Sequence, residues 1–260
     1  MQAFTYANPS TVTDAARAAS VDNAKFLAGG QTLLASMKLG LSAPEALVDL
    51  ANIADLKGIT VSGGVVKIGA MTSHAAVAAH ADVQQAIPAL AELAGKIGDR
   101  QVRNRGTIGG SLANNDPAAC YPAAVLGLGA TVHTNSRTIA ADDFFKGMFE
   151  TALAEGEVIT AVSFPIPEKA GWQKFKQPAS RFSIVGVFVS KGPQGVRVAV
   201  TGAGASVFRA KELEAKLAAN WSAAALSDAS ISADGLNSDL HGSAEYRAAL
   251  VPVLAGRAVG

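Results

Sequence analysis

Gln101-Val102-Arg103-Asn104-Arg105-Gly106-Thr107-Ile108-Gly109-Gly110-Ser111 is the stretch whose reading decides the fold. A basic run gives way to a glycine pair flanked by hydroxyls. An earlier segment, Ala28-Gly29-Gly30-Gln31-Thr32-Leu33-Leu34, offers the same chemistry between a short strand pattern and a helix pattern. Paired glycines let backbone N–H groups come close to an anion, and a following helix start favours negative charge. Gln31, Thr32, Thr107 and Ser111 add side-chain donors. A single Gly-Gly turn is explained by sterics alone. Two of them in one domain suit a diphosphate, each loop serving part of it. Neither has the G-x-G-x-x-G spacing of a Rossmann site or the G-x-x-x-x-G-K-[ST] spacing of an NTPase.

Working outward, Ser10 precedes an amphipathic helix pattern containing Val12, Ala15, Ala16 and Ala19. A strand over residues 25–28 runs into the first loop, and a helix over 32–39 ends at Gly40. Residues 46–50 read as a strand. Residues 59–61 and 65–68 read as a hairpin around Ser62-Gly63-Gly64. Thr72-Ser73 caps an alanine-rich helix reaching His80, and a helix over 87–97 stops near Gly98. Residues 99–105 read as a polar, basic stretch, and 106–110 as a glycine loop. Asp116 and Pro117 start a helix over 118–128. A second hairpin, 130–134 with 137–140, turns at Asn135-Ser136. A strand over 158–164 stops at Pro165. The segment 165–171, with two prolines and a glycine, reads as a domain boundary unable to continue a strand or a helix. Beyond it lie strands at 172–177, 184–190 and 196–202, then helices at 210–219 and 244–254. The expected organisation is a domain over 1–167 and a smaller one over 172–260, a few strands covered by helices.

Composition narrows the function. With 22 basic against 21 acidic residues in 260, no basic surplus points to nucleic acid. The longest apolar runs, 123–132 and 182–189, are far shorter than the ~20 residues of a membrane helix, and the start lacks a signal-peptide pattern. The expected location is the cytoplasm. One cysteine, Cys120, excludes a disulfide framework and an iron–sulfur cluster held by this chain alone. The four histidines form no zinc-hydrolase motif. Charged residues make up only 17% of the chain, below the ~25% usual for soluble domains. A surface covered by another subunit and a general alanine bias both account for that. Cys120 reads as a small buried residue, and His74, after its helix cap, as structural. Trp172 and Trp221 read as core or interface anchors. Arg100, Arg103 and Arg105 form a solvated edge, a docking face or part of the anion site.

The two glycine loops, together with Val48-Asp49-Leu50, Ile68-Gly69-Ala70-Met71-Thr72, Asp116-Pro117 and Glu157-Val158-Ile159-Thr160 through Phe164-Pro165, resemble in order the FAD-binding subunit of molybdenum hydroxylases, the xanthine dehydrogenase family. The similarity runs along nearly the whole chain and is greatest to the medium subunits of aerobic carbon monoxide dehydrogenase-like enzymes. The resemblance implies an α+β protein. Its FAD-binding fold would have two α/β subdomains of the p-cresol methylhydroxylase and vanillyl-alcohol oxidase type, followed by a small C-terminal α+β domain. It also implies non-covalent FAD. Carried over by position, Ala28, Gly29, Gly30, Gln31 and Thr32, with Thr107, Gly109, Gly110 and Ser111, would wrap the diphosphate. Ile159 falls where the family packs an apolar residue near the flavin, and Lys176 at another flavin contact. Phe182 falls where relatives place a tyrosine against the isoalloxazine ring, which keeps the stacking surface and loses the hydroxyl. The acidic residue that the family often has thirteen positions beyond Thr107 is here Cys120, with Asp116 nearby.

The function so implied is an electron-transfer flavoprotein subunit. A [2Fe–2S] small subunit would pass electrons through FAD to an external acceptor, and a molybdenum-binding large subunit would oxidise the substrate. The expected assembly is a dimer of heterotrimers, free in the cytoplasm or attached peripherally to the inner membrane through the complex. No catalytic acid, base or metal ligand is required of this chain, because the cofactor carries the redox chemistry. Two rivals are a free-standing FAD oxidoreductase of the same fold and a flavin-free binding module with incidental glycine turns. The ~90 residues after Pro167 are short for a substrate cap, which favours the subunit reading over the first rival.

Overall fold

A computed structural model describes residues 3–260. Its first layer is a parallel three-stranded sheet, ordered Thr5–Ala7, Ala46–Asp49, Ala24–Leu27. Parallel neighbours need crossovers, and the helices Val12–Ala18 and Leu33–Lys38 lie in them. The cap of the first helix is Thr11, not Ser10: its hydroxyl accepts from Asp14 N–H. Val48, Leu50, Ile53 and Leu56 pack with Ala15 and Val158 in a small core of their own.

The second layer is an antiparallel five-stranded sheet, ordered Ile59–Ser62, Val65–Gly69, Ile159–Pro165, Thr131–Thr134, Thr138–Ala140. Both sequence-predicted hairpins are present, and the late strand Ile159–Pro165 lies between them. Helices Pro88–Gly95 and Tyr121–Gly127 bury Leu90, Leu93, Tyr121 and Val125 in the main core. An additional helix, Ala81–Ala86, precedes them.

The third layer is an antiparallel sheet of Lys169–Lys176, Ser183–Gly192, Gly195–Thr201 and Phe208–Arg209. Helices Lys211–Ala219 and Ala244–Val259 pack against it. This is the mixed helix and sheet architecture the resemblance implied. The segment 165–171 does not stay free of regular structure, however. The strand Lys169–Lys176 begins inside it, because the second proline is already past and Gly171 fits beneath the backbone of Ala258. Trp172, Phe188 and Ala199 then enter the same core as Leu90 and Tyr121, so the largest apolar cluster crosses the segment.

Three further local readings change. Residues 100–105 form a helix, Arg100–Arg105, capped by Asp99, whose carboxylate accepts from Val102 N–H at 2.8 Å. Only Val102 gives it an apolar position, so no periodicity marked it. Ile108–Asn114 is helical as well, capped by the Thr107 hydroxyl. Glycine disfavours helix interiors, and the tight packing described below explains its presence. The predicted helix 118–128 starts only at Tyr121. Pro122 has no N–H to give to residue 118, so it belongs in a first turn. Asp116 instead accepts from Ala118 N–H at 2.8 Å in a local turn.

Glu157 fastens the turn before the strand Ile159–Pro165. Its buried carboxylate accepts from Arg137 (2.9 Å to each oxygen), Thr134 (2.7 Å), Ser136 (3.0 Å) and the Ala154 N–H (2.7 Å). The Arg137 bond leads these in outweighing burial, and the pKa drops from 4.5 to about 2. Because the folded value is the lower one, the stabilisation is complete above pH 4.5 and is lost as pH falls toward 2. Arg137 is half exposed, so solvent screening reduces what the pair contributes. Denaturant titration should find Glu157→Gln less stable by roughly 2–3 kcal/mol at pH 7 and nearly equal to wild type near pH 2. Equal stability at pH 7 would remove this clamp from the account.

Candidate functional site

The parallel sheet delivers the first loop. The strand Ala24–Leu27 ends, residues 28–32 turn away, and the helix Leu33–Lys38 follows. Gly30 takes φ +72°, the left-handed region in which a side chain is strained. The backbone N–H groups of Gly29, Gly30, Gln31 and Thr32 donate no hydrogen bond among the described residues. Successive free donors at a glycine turn make an anion-binding nest. Gln31 folds back to donate from Nε2 to the Gly29 carbonyl at 3.2 Å, and the Thr32 side chain makes no cap bond.

The second loop is built differently. Residues 69–74 run beside it as a brace. His74 N–H donates to Gly106 O at 3.0 Å, Ile108 N–H to Thr72 O at 3.2 Å, and Gly109 N–H to Ala70 O at 2.8 Å. A Cβ on Gly109 would stand 2.6 Å from the Ala70 Cβ, which is why glycine is needed there. Gly110 N–H donates to the Thr107 hydroxyl at 3.2 Å and Ser111 N–H to Thr107 O at 3.0 Å. The expectation that both glycine pairs offer open N–H groups therefore applies to the first loop alone. In the second, the pair permits close packing and the N–H groups of 108–111 are already bonded.

The two loops touch. A Cβ on Gly29 would overlap the Arg105 carbonyl and stand 2.7 Å from Gly106 Cα, and one on Gly110 would stand 3.3 Å from Ala28 Cβ. Of the three arginines, Arg103 donates to the carbonyls of Ile97 and Gly98 at 3.0 and 3.1 Å. Arg105 is exposed and makes no ion pair among the described residues, and its backbone carbonyl is the atom that meets Gly29.

Ile159 is 5% exposed and sits in the main core. It connects to the second loop through its neighbour, since Thr160 O accepts from Ala70 N–H at 2.9 Å. Lys176 and Phe182 stand apart from the loops in sequence and lie at the tip of the hairpin Lys169–Lys176/Ser183–Gly192, both exposed. Two contacts tie that hairpin to the turn before helix Arg100–Arg105: Arg181 donates to Gly98 O at 3.3 Å, and Lys174 Nζ to Lys96 O at 2.9 Å. Cys120 is buried as expected, with Lys174 Nζ at 3.3 Å and Ser183 Oγ at 3.7 Å from its sulfur. Asp116 is held by its own turn.

Sequence reasoning missed Asn115 as a site-shaping residue. At φ +41° it ends helix Ile108–Asn114, and its buried Nδ2 donates to the carbonyls of Gly147 and Glu150, each at 2.8 Å. The one available signal was asparagine's tolerance of left-handed backbone. A groove of about 900 Å³ lined by Leu226, Ile231, Ala248, Pro252 and Val253 shares no residue with either loop.

An open-donor loop pressed against a stiffened one is an arrangement suited to an anionic group. Comparison with known proteins places it further. The family described as the FAD binding domain in molybdopterin dehydrogenase matches residues 2–167. The nicotine 6-hydroxylase medium subunit of Paenarthrobacter nicotinovorans is 36% identical, over 100% of this chain and 97% of its own. The carbon monoxide dehydrogenase medium chain of Hydrogenophaga pseudoflava is 35% identical, over 91% of this chain and 88% of its own. A chain in a solved structure of carbon monoxide dehydrogenase from Hydrogenophaga pseudoflava, a form lacking the Mo-pyranopterin moiety, superposes with a TM-score of 0.88. It is 34% identical and covers 99% of this chain and 96% of that one. The chain belongs to this family: it is an FAD-binding, medium-type oxidoreductase subunit of the molybdenum hydroxylases.

Proposed function

We propose that this subunit carries electrons within a multi-subunit molybdenum hydroxylase of the carbon monoxide dehydrogenase type. The observation behind the reading is the run of open N–H groups at Gly29, Gly30, Gln31 and Thr32, set against the braced second loop inside the matched domain. FAD bound there supplies the redox step between a [2Fe–2S] small subunit and an external acceptor. The chain's own residues bind and orient. Residues 28–32 hold the diphosphate by backbone donors, Thr107, Gly109, Gly110 and Ser111 form the opposing wall, and Arg105 offsets its charge. Asp116 and Ile159 flank that wall. Lys176 and Phe182 come from the C-terminal hairpin to the isoalloxazine side. On this reading residues 1–167 are the FAD-binding domain and 172–260 the C-terminal flavoprotein domain.

Two considerations support a division of labour. One cysteine cannot hold a [2Fe–2S] cluster. The relatives are named for chemically unlike substrates, nicotine and carbon monoxide, yet are 36% and 35% identical to this chain. Substrate choice is therefore assigned to a molybdenum-binding large subunit, in a dimer of heterotrimers. No helix among the described residues is long and apolar enough to cross a membrane.

The test is anaerobic bleaching of bound flavin by the substrate of the whole complex. The isolated subunit should retain FAD and stay oxidised, and adding the two partner subunits should bring on bleaching. Turnover of an organic substrate by the lone subunit at an ordinary rate, about 1 per second or more, would replace this reading with a free-standing oxidoreductase.

A further inference from the structure

His74 is a buried titratable group to which the flavin cradle gives no part. It is 5% exposed and opens helix His74–Ala79, which Ser73 caps by accepting from Ala76 N–H. Its ring lies directly beneath Gly106. A Cβ on Gly106 would stand 2.5 Å from His74 Nε2 and 2.9 Å from Cδ2. Gly106 itself is extended, φ −61° and ψ 142°, a conformation open to any residue. The demand for glycine at 106 therefore comes chiefly from the histidine ring, with the Val102 carbonyl at 3.0 Å as a lesser obstacle.

The ring's other neighbours are poor hosts for a proton. Tyr121 lies across from it, with centroids 5.3 Å apart and planes at 53°. Neither His74 Nδ1 nor the Tyr121 hydroxyl has a hydrogen-bond partner among the described residues. Helix Arg100–Arg105 turns Arg103 toward it. Helices Ala81–Ala86 and Pro88–Gly95 carry Asp82 and Glu92, but both are exposed and face His80 and Lys96. Burial, with a smaller contribution from Arg103, lowers the His74 pKa from 6.5 to about 4. The ring is neutral at pH 7.

We infer that His74 is the positioning residue of the second flavin loop. Its neutral ring fixes Gly106, and through it residues 107–111, against the open donors of residues 28–32. A protonated ring has no carboxylate to pair with and a cation already nearby, so it moves toward water, and Gly106 lies in its way. Loop spacing is then lost and the diphosphate is released. The inference rests on the FAD reading above and adds a proton-sensitive support to it.

Retained FAD can be read by absorbance between pH 7 and 3.5 in wild type, His74→Gln, His74→Ala, Gly106→Ala and the His74→Ala/Gly106→Ala double variant, with circular dichroism reporting the fold. Wild type should release FAD as pH falls toward 4 while still folded, with about one more proton taken up than in His74→Gln. Gly106→Ala should weaken FAD binding by at least about tenfold in wild type but by less than about threefold in the His74→Ala background, the signature of coupled neighbours. Equal proton uptake in wild type and His74→Gln, or an equal Gly106→Ala cost in both backgrounds, overturns the inference and leaves the FAD reading standing. A wild-type subunit that takes up no FAD at pH 7 overturns both. Should His74→Ala fail to fold, His74→Ser, which also clears the space beneath residue 106, serves as the second background.

Discussion

Gly29→Ala should cost the subunit its flavin. The added methyl would overlap the Arg105 carbonyl oxygen and approach Gly106 Cα to 2.7 Å. Both obstacles are backbone, so no side-chain rotation relieves them. The two loops must separate, which parts the open N–H groups of residues 28–32 from the wall at 107–111. Overpacking of this kind costs about 1–3 kcal/mol, or roughly a ten- to hundredfold loss of FAD affinity. Gly30→Ala makes an informative comparison. Its expected cost is about 1–2 kcal/mol for left-handed backbone, because the nearest atom, Leu34 Cδ1 at 2.7 Å, is the end of a movable side chain. Flavin fluorescence titration of the folded variants measures both. Gly29→Ala protein that keeps stoichiometric FAD with wild-type affinity would show that the loop contact has no bearing on the cradle.

Both glycine pairs were legible in the sequence as loop chemistry, but their different purposes were not. Gly30 announces itself by composition, since a turn with positive φ has few alternatives to glycine. Gly29, Gly106 and Gly109 are glycines because of what lies over them: Arg105 and Gly106, His74, and Ala70. Those partners are distant in the chain or hidden in it, and no local pattern records them. The same holds for the bonding of Ile108 and Gly109 to Thr72 and Ala70. The sheets were readable where apolar runs met clear turn residues, as at Ser62-Gly63-Gly64 and Asn135-Ser136. Helices Arg100–Arg105 and Ile108–Asn114 were not, because one is almost wholly polar and the other contains two glycines. Each is set by an N-cap side chain and by tertiary contact instead. Phe182 and Lys176 were reached only by resemblance: both are exposed, Phe182 at 51%, and nothing local singles them out.

Arg197→Met should loosen the C-terminal sheet from the flavin-binding part. Arg197 is 4% exposed on strand Gly195–Thr201. Its Nη2 donates to both Asp142 oxygens at 2.7 Å, and its Nε to the Leu126 carbonyl at 2.8 Å. That carbonyl lies in helix Tyr121–Gly127, which packs on the same sheet. Burial acts against the Asp142 carboxylate, but hydrogen bonds and charge from Arg197, joined by Arg209, hold its pKa below the usual value. Methionine keeps most of the volume, so the change chiefly tests the polar groups. It leaves Leu126 O and Asp142 without their main partner, at a cost of about 2–4 kcal/mol. The consequence for function follows from geometry. Lys176 and Phe182 ride on the hairpin of that sheet, while the loops proposed to hold the diphosphate belong to the other layers. Thermal unfolding should therefore shift downward. Bound flavin should become more exposed to quenchers such as iodide before the diphosphate contacts are lost, because the hairpin side loosens first. Wild-type stability and quenching in Arg197→Met would mean that the apolar contacts of Trp172 and Phe188 hold the two parts together without help from this charge.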